Sequence, residues 1–213
     1  ENAARLEQQL LSIAATMKGF GSQLETAVRV LAMLALRKLL DRDTPSGGGA
    51  SAFIELAQPV DIEATLRRLL RPRSDSRFSP SLYGDIASLF ERSRHLSRFE
   101  LSRAATGVAS IPEDLLESST LGEAVIEFLS KANDRLSDMS IPVRGVTGLM
   151  LDLADPPDGG RIADPCCQNG FFLARSGIWG REQGRSFKCL DGSDRSSDHV
   201  AITRLLLFLT DLA

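Results

Sequence analysis

The segment that most restricts what this chain can fold into is Arg161-Ile162-Ala163-Asp164-Pro165, followed closely by Gly170 and an apolar run. Pro165 has no backbone N–H and holds its φ near −65°, so a strand reaching Asp164 has to end there. Gly170 then permits a tight turn, and Phe171-Phe172-Leu173 can open a helix. The segment Phe187-Lys188-Cys189-Leu190 reads as a second short strand, and residues 196–212 as a strongly apolar helix. Upstream, residues 145–154 read as a helix ending in the turn Pro156-Pro157-Asp158-Gly159-Gly160. Helix, strand, helix, strand, helix is the opening of a doubly wound parallel sheet.

The preceding 135 residues carry a different pattern. Leu6, Leu10, Ile13 and Met17 recur at helical spacing within residues 3–20. Leu24, Val28, Leu31, Leu34 and Ala35 do so within 23–41, a helix ending in Arg37 and Lys38, cations suited to a helix C-terminus. Short helices are expected over 51–57 and 61–71, the second capped by Asp61. Ser79-Pro80 opens a helix running to about Arg94. Residues 97–107 are weakly helical, Pro112 opens a short helix, and 120–135 form another. The sequence therefore predicts an α + α/β chain, with an all-helical domain over 1–135 and an incomplete Rossmann-like sheet over 136–213. Residues 177–186 hold three glycines and scattered charges and read as a loop.

Several function classes are disfavoured by composition and motif. The apolar stretch Val30–Leu36 falls far short of the roughly 18 residues a membrane span requires. Glu1, Arg5 and Glu7 do not read as a signal peptide. Three cysteines, two of them adjacent, make no disulfide framework, and His95 and His199 lie at no zinc-binding spacing. These features lead us to expect a cytoplasmic protein with reduced thiols and no metal. The Gly47-Gly48-Gly49 run lacks the lysine of a phosphate-binding loop, and no Gly-x-Gly-x-x-Gly follows either strand. Net charge is −3, but nine arginines face four acids between Arg67 and Arg103. Arg71, Arg73, Arg77 and Arg94 are the candidates from that stretch for phosphate contacts.

The run Asp164-Pro165-Cys166-Cys167-Gln168-Asn169-Gly170-Phe171-Phe172-Leu173 resembles motif I of the DNA adenine-N6 methyltransferases. It is most like the modification subunits of type I restriction systems, which read Asp-Pro-Cys-Cys-Gly-Ser-Gly-Gly-Phe-Leu. Seven of ten positions agree, and Gln168, Asn169 and Phe171 depart. Upstream, Ile141-Pro142 stands where the family has Thr-Pro before an apolar helix that wraps the methionine end of the cofactor. Downstream, Leu190-Asp191-Gly192-Ser193-Asp194 resembles the second strand, whose terminal acid accepts ribose hydroxyls. Asp194 matches that acid best, with Asp191 as the fallback.

The resemblance covers roughly residues 120–213. It implies S-adenosylmethionine as cofactor, held by Ile141, Pro142, Asp164, Pro165, Cys166, Gly170, Phe172 and Asp194. It also implies double-stranded DNA as substrate and a specificity or restriction subunit as partner, with oligomers as in that family. The catalytic Asn/Asp-Pro-Pro-aromatic sequence of the family does not occur here: Asp155-Pro156-Pro157 is followed by Asp158. The expectation is thus a methyltransferase fragment without catalytic residues of its own. The alternative is a degenerate, inactive methylase-like module for DNA binding or assembly.

Overall fold

The structure is a computed structural model. It describes residues 2–17, 23–43, 49–58, 62–71, 80–91, 97–116, 119–133 and 144–212. Eight helices come first among these: α1 (Asn2–Thr16), α2 (Gln23–Asp43), α3 (Gly49–Ala57), α4 (Ile62–Leu69), α5 (Pro80–Glu91), α6 (Arg98–Ala109), α7 (Glu113–Leu116) and α8 (Ser119–Asn133). There follow α9 (Arg144–Ala154), β1 (Arg161–Asp164), α10 (Phe171–Glu182), β2 (Cys189–Gly192) and α11 (Ser197–Leu209). The helices expected over 3–20, 23–41, 51–57, 61–71, 120–135 and 145–154 are all present within a few residues. No described helix is long and apolar enough to cross a membrane.

Helix α2 is the axis of the helical part. Residues 30–40 are buried on every side, because α3, α5, α6, α8 and α11 surround the helix. A helix apolar all round belongs inside a core, and here the interior also contains Arg37 and Lys38, 2% and 0% exposed. The two cations serve the C-termini of other helices rather than that of α2. Arg37 Nη1 donates to the Ala109 carbonyl at the end of α6, 3.1 Å away, and Arg37 Nε pairs with Asp41 at 2.6 Å. Lys38 Nζ donates to the Leu209 carbonyl at the end of α11 (3.3 Å) and meets Asp211 at 2.8 Å. Unsatisfied terminal carbonyls and the negative end of the helix dipole both favour a cation there. Phe208 covers this site, with Lys38 and Arg42 at 5.8 and 5.4 Å from its ring.

The helix expected over 97–107 is present as α6, opened by a capping box in which Ser97 and Glu100 exchange hydrogen bonds with each other's backbone. Two local predictions need correction. Residues 177–182 continue α10 instead of forming a loop. A Cβ at Gly177 would sit 2.5 Å from Leu212, and one at Gly180 would sit 2.6 Å from Phe187, so these glycines let neighbours press against the helix. The second strand lies two residues later than expected, at Cys189–Gly192.

The strands are parallel and in register, with Asp164 opposite Gly192. Gly159 N donates to Ser186 O and Lys188 N to Gly160 O, both at 2.8 Å, which ties the strand entrances together. Asp158 accepts the Ser186 N–H at 2.8 Å, and this bond holds its carboxyl below the usual range. Helix α10 packs on the sheet, and α11 packs on α2, α5 and α8, so one apolar core runs from Leu6 to Leu209. On the other flank, α9 leaves Val146, Leu149, Met150 and Leu153 between 51% and 78% exposed, a stripe at i, i+3, i+4 and i+7.

Replacing Lys38 by alanine opens a cavity and strands the Leu209 carbonyl, so Lys38→Ala is expected to cost about 3 kcal/mol of unfolding free energy. Lys131→Ala, which removes a half-exposed ion pair with Glu7, is expected to cost far less. Equilibrium urea unfolding of both variants measures the contrast.

Candidate functional site

Because the two strands end level with each other, their C-terminal connections lie side by side. The first is the turn Pro165–Gly170, entering α10; the second is the loop Ser193–Ser196, entering α11. Backbone bonds join them: Ser193 N donates to Asp164 O, and Cys167 N to Ser193 O, both at 3.0 Å. In an open parallel sheet this edge is the ligand-binding side.

The turn is shaped by two residues in the left-handed region. Gly170 has φ 76° and Gln168 has φ 48°. At Gly170 a side chain is doubly excluded, since a Cβ would approach Thr203 Cγ2 to 2.7 Å. Gln168 has a Cβ at a backbone angle that costs an ordinary residue about 1–2 kcal/mol. Both ends of its peptide unit are held in compensation. Its N–H donates to Asp194 Oδ2 at 3.1 Å, and its carbonyl accepts from Thr203 Oγ1 at 3.0 Å. The glycine of the resembling motif thus corresponds to a position whose backbone favours glycine.

Asp194 is a junction within the protein. Its Oδ1 accepts the Ser196 N–H and approaches His199 Nδ1, both at 2.9 Å, while Oδ2 accepts Gln168 N. The Ser196 amide, then His199, hold its carboxyl below the usual range. Ser196 caps α11, so one carboxylate fixes the start of that helix to the turn before α10. Neither His199 nor Thr203 was singled out for this role from the sequence. Their spacing of four with the Ser196 cap upstream puts them on one face of α11, a signal hidden by the surrounding apolar residues.

Asp164 sits half-buried at the end of β1, its Oδ1 accepting the Cys166 N–H at 3.0 Å. Cys166 and Pro165 are exposed, and Phe172 is half-buried. Cys167 is buried, 3.6 Å from Thr203 Oγ1, and burial pushes its thiol up, in keeping with a packing residue. Asn169 lies buried beneath the turn. The structure therefore brings Asp164, Pro165, Cys166, Gly170, Phe172 and Asp194 to one edge. Asp191, the fallback acid, points elsewhere and pairs with Arg161 at 2.7 Å. Ile141, Pro142, Arg73, Arg77 and Arg94 lie outside the described residues; Arg71 is exposed just after α4.

Helix α10 begins at Gly170 with no side-chain cap, so its first amides and positive dipole end face the same edge. Its C-terminal half is anchored by Trp179, whose indole N–H donates to Asp152 at 2.9 Å and whose ring stacks on Phe187. Among the described residues, no three His, Cys, Asp or Glu side chains converge as a metal site.

No protein-family model and no curated protein sequence matches the chain. Among solved structures it is similar to the methyltransferase subunit of a type I restriction-modification system from Streptococcus thermophilus. The TM-score is 0.72 at 13% identity, over 100% of this chain and 57% of that one. The likeness shows a shared fold, with this chain spanning little more than half the length of that protein.

The depressed Asp194 carboxyl gives a pH test. A carboxylate whose folded pKa lies below its ordinary value of 3.8 adds stability that is full above that value and lost as pH falls through the folded pKa. Asp194→Asn is expected to be less stable than the parent at neutral pH. The gap should narrow as pH drops from about 5 to about 3, as followed by urea unfolding across that range.

Proposed function

We propose that this chain is the front part of an S-adenosylmethionine-dependent DNA adenine-N6 methyltransferase of the restriction-modification type, with Rossmann-like sheet topology. The observation that carries the reading is the Asp164-Pro165-Cys166-Cys167 turn. It leaves a parallel strand at its C-terminal end and enters α10 through a left-handed Gly170. The likeness in fold, over the whole of this chain and 57% of a methyltransferase subunit, supports it.

The edge residues fit a cofactor with a charged head and hydroxyl groups. Gly170 presents backbone with no Cβ, α10 offers uncapped amides, and Asp164 supplies an accepting carboxylate. The cofactor, when bound, supplies a methyl group on a sulfonium centre. The chain's own part in that reaction is positioning. Asp164, Pro165, Cys166, Gly170 and Phe172 would form the floor of its site, and Ile141 and Pro142 would close it from the start of α9. Asp194 would contribute by holding the turn at Gln168 and reach a ribose only through lone pairs left by its protein donors. The parallel strands have unpaired outer edges among the described residues. Parallel sheets are ordinarily buried on both faces, and further strands would extend the sheet from those open edges. The adenine-holding residues would come from that part, and Arg71 and its neighbours would touch double-stranded DNA. A specificity or restriction subunit is the partner this reading implies.

A second reading has its own observation. Gln168 places a long side chain where the turn favours glycine, and the amide of that residue is already consumed by Asp194. A methylase-like module that retains the fold for assembly or DNA binding, without turnover, matches that feature.

Titration calorimetry of S-adenosylmethionine into the full-length gene product separates the two. The enzyme reading expects measurable binding, weakened about tenfold or more by Asp164→Ala. It expects tighter binding in Gln168→Gly, together with a stability gain of up to about 1 kcal/mol. Absence of heat in parent and Gln168→Gly alike supports the inactive module.

A further inference from the structure

A cleft of about 720 Å³ opens between α1, α8, α9 and α10, and no residue of the 164–170 turn or the 193–199 segment lines it. Its size is that of a small-molecule site. Apolar side chains including Ile126, Leu149, Leu151 and Ile178 form its walls. The polar groups are of one sign almost throughout: Glu123, Glu127, Asp152 and Glu182 stand against Arg175. Arg175 meets Glu127 at 3.5 Å, and Asp152 receives a neutral donor, the Trp179 indole N–H. A fifth carboxylate, Glu7, is occupied by Lys131. Carboxylates remain in excess around an apolar cavity, a combination that attracts cations and repels anions.

An independent feature lies in the wall. Thr147 lines the cleft at 1% exposure, and its hydroxyl has no hydrogen-bond partner among the described residues. A buried hydroxyl left unmatched is costly. Removing it from water without a partner makes sense when a ligand completes the bond.

We propose that this cleft is a binding site for an alkylammonium ligand, an aliphatic chain bearing protonated amines. The chain would lie on the Ile126–Ile178 wall, an ammonium group would donate to Thr147 Oγ1, and the other positive charge would face Glu123 at the rim. The site is separate from the strand-end edge and stands whether or not the cofactor reading holds.

The probes are an eight-carbon alkane diamine and the corresponding octanediol, which has the same chain without charge. Thermal unfolding and calorimetry are run on the parent, Glu123→Gln and Thr147→Val. The diamine is expected to raise Tm at millimolar concentration and the diol to leave it unchanged. Glu123→Gln, on an exposed position, should weaken diamine binding about fivefold at low salt. Thr147→Val should raise the Tm of the free protein, because an unmatched hydroxyl becomes a methyl, yet weaken the diamine about tenfold. The proposal is overturned if the diol stabilises as strongly as the diamine, if neither binds, or if both variants bind the diamine like the parent.

Discussion

The fold depends on two cations buried where cations are expensive. Arg37 and Lys38 stand side by side on α2 and point to opposite partners, the carbonyl end of α6 and the carbonyl end of α11. A charge moved out of water survives only with geometry good enough to replace its hydration. Here the replacements are carbonyls at helix C-termini, where the dipole adds attraction, with Asp41 and Asp211 as counter-charges. Because α6 lies at the middle of the chain and α11 among its last elements, neighbouring residues of one helix tie these distant segments into one core.

The consequence reaches the strand-end edge. With its C-terminus held by Lys38 and Arg42 through Asp211, α11 has a fixed axis, and its N-terminal half presents Ser196, His199 and Thr203 to the turn before α10. Asp194 and Thr203 together grip the peptide of Gln168. The left-handed conformation at Gln168 is therefore imposed by its neighbours rather than chosen by the residue, as expected for strain held by surrounding structure. The edge is cross-tied by hydrogen bonds between its two connections, while the acidic cleft on the far side of α10 is open and incompletely matched.

Element types were legible from the sequence wherever a local signal was strong. Proline at 165 stopped a strand, helical spacing located α1, α2 and α8, and the Asp-Pro-Cys-Cys run marked the turn. Local reasoning failed where glycines answered to tertiary neighbours. Gly177 and Gly180 read as loop residues, but they lie inside α10 because Leu212 and Phe187 approach too closely for a Cβ. The part of the edge contributed by α11 was equally hidden, since His199 and Thr203 gain meaning only from the turn that packs against them.

By itself the sequence determined a largely helical chain ending in a strand–turn–helix unit, and placed Asp164 and Gly170 at the turn, because proline and glycine restrict the backbone whatever surrounds them. Only the tertiary structure decided that Arg37 and Lys38 would be interior, that Asp194 would bind the turn, and that α1 and α8 would face α9 and α10 across an acidic cleft. Those outcomes depend on which distant groups meet after the core closes, and a charge or hydroxyl carries no local signal of the partner it will meet.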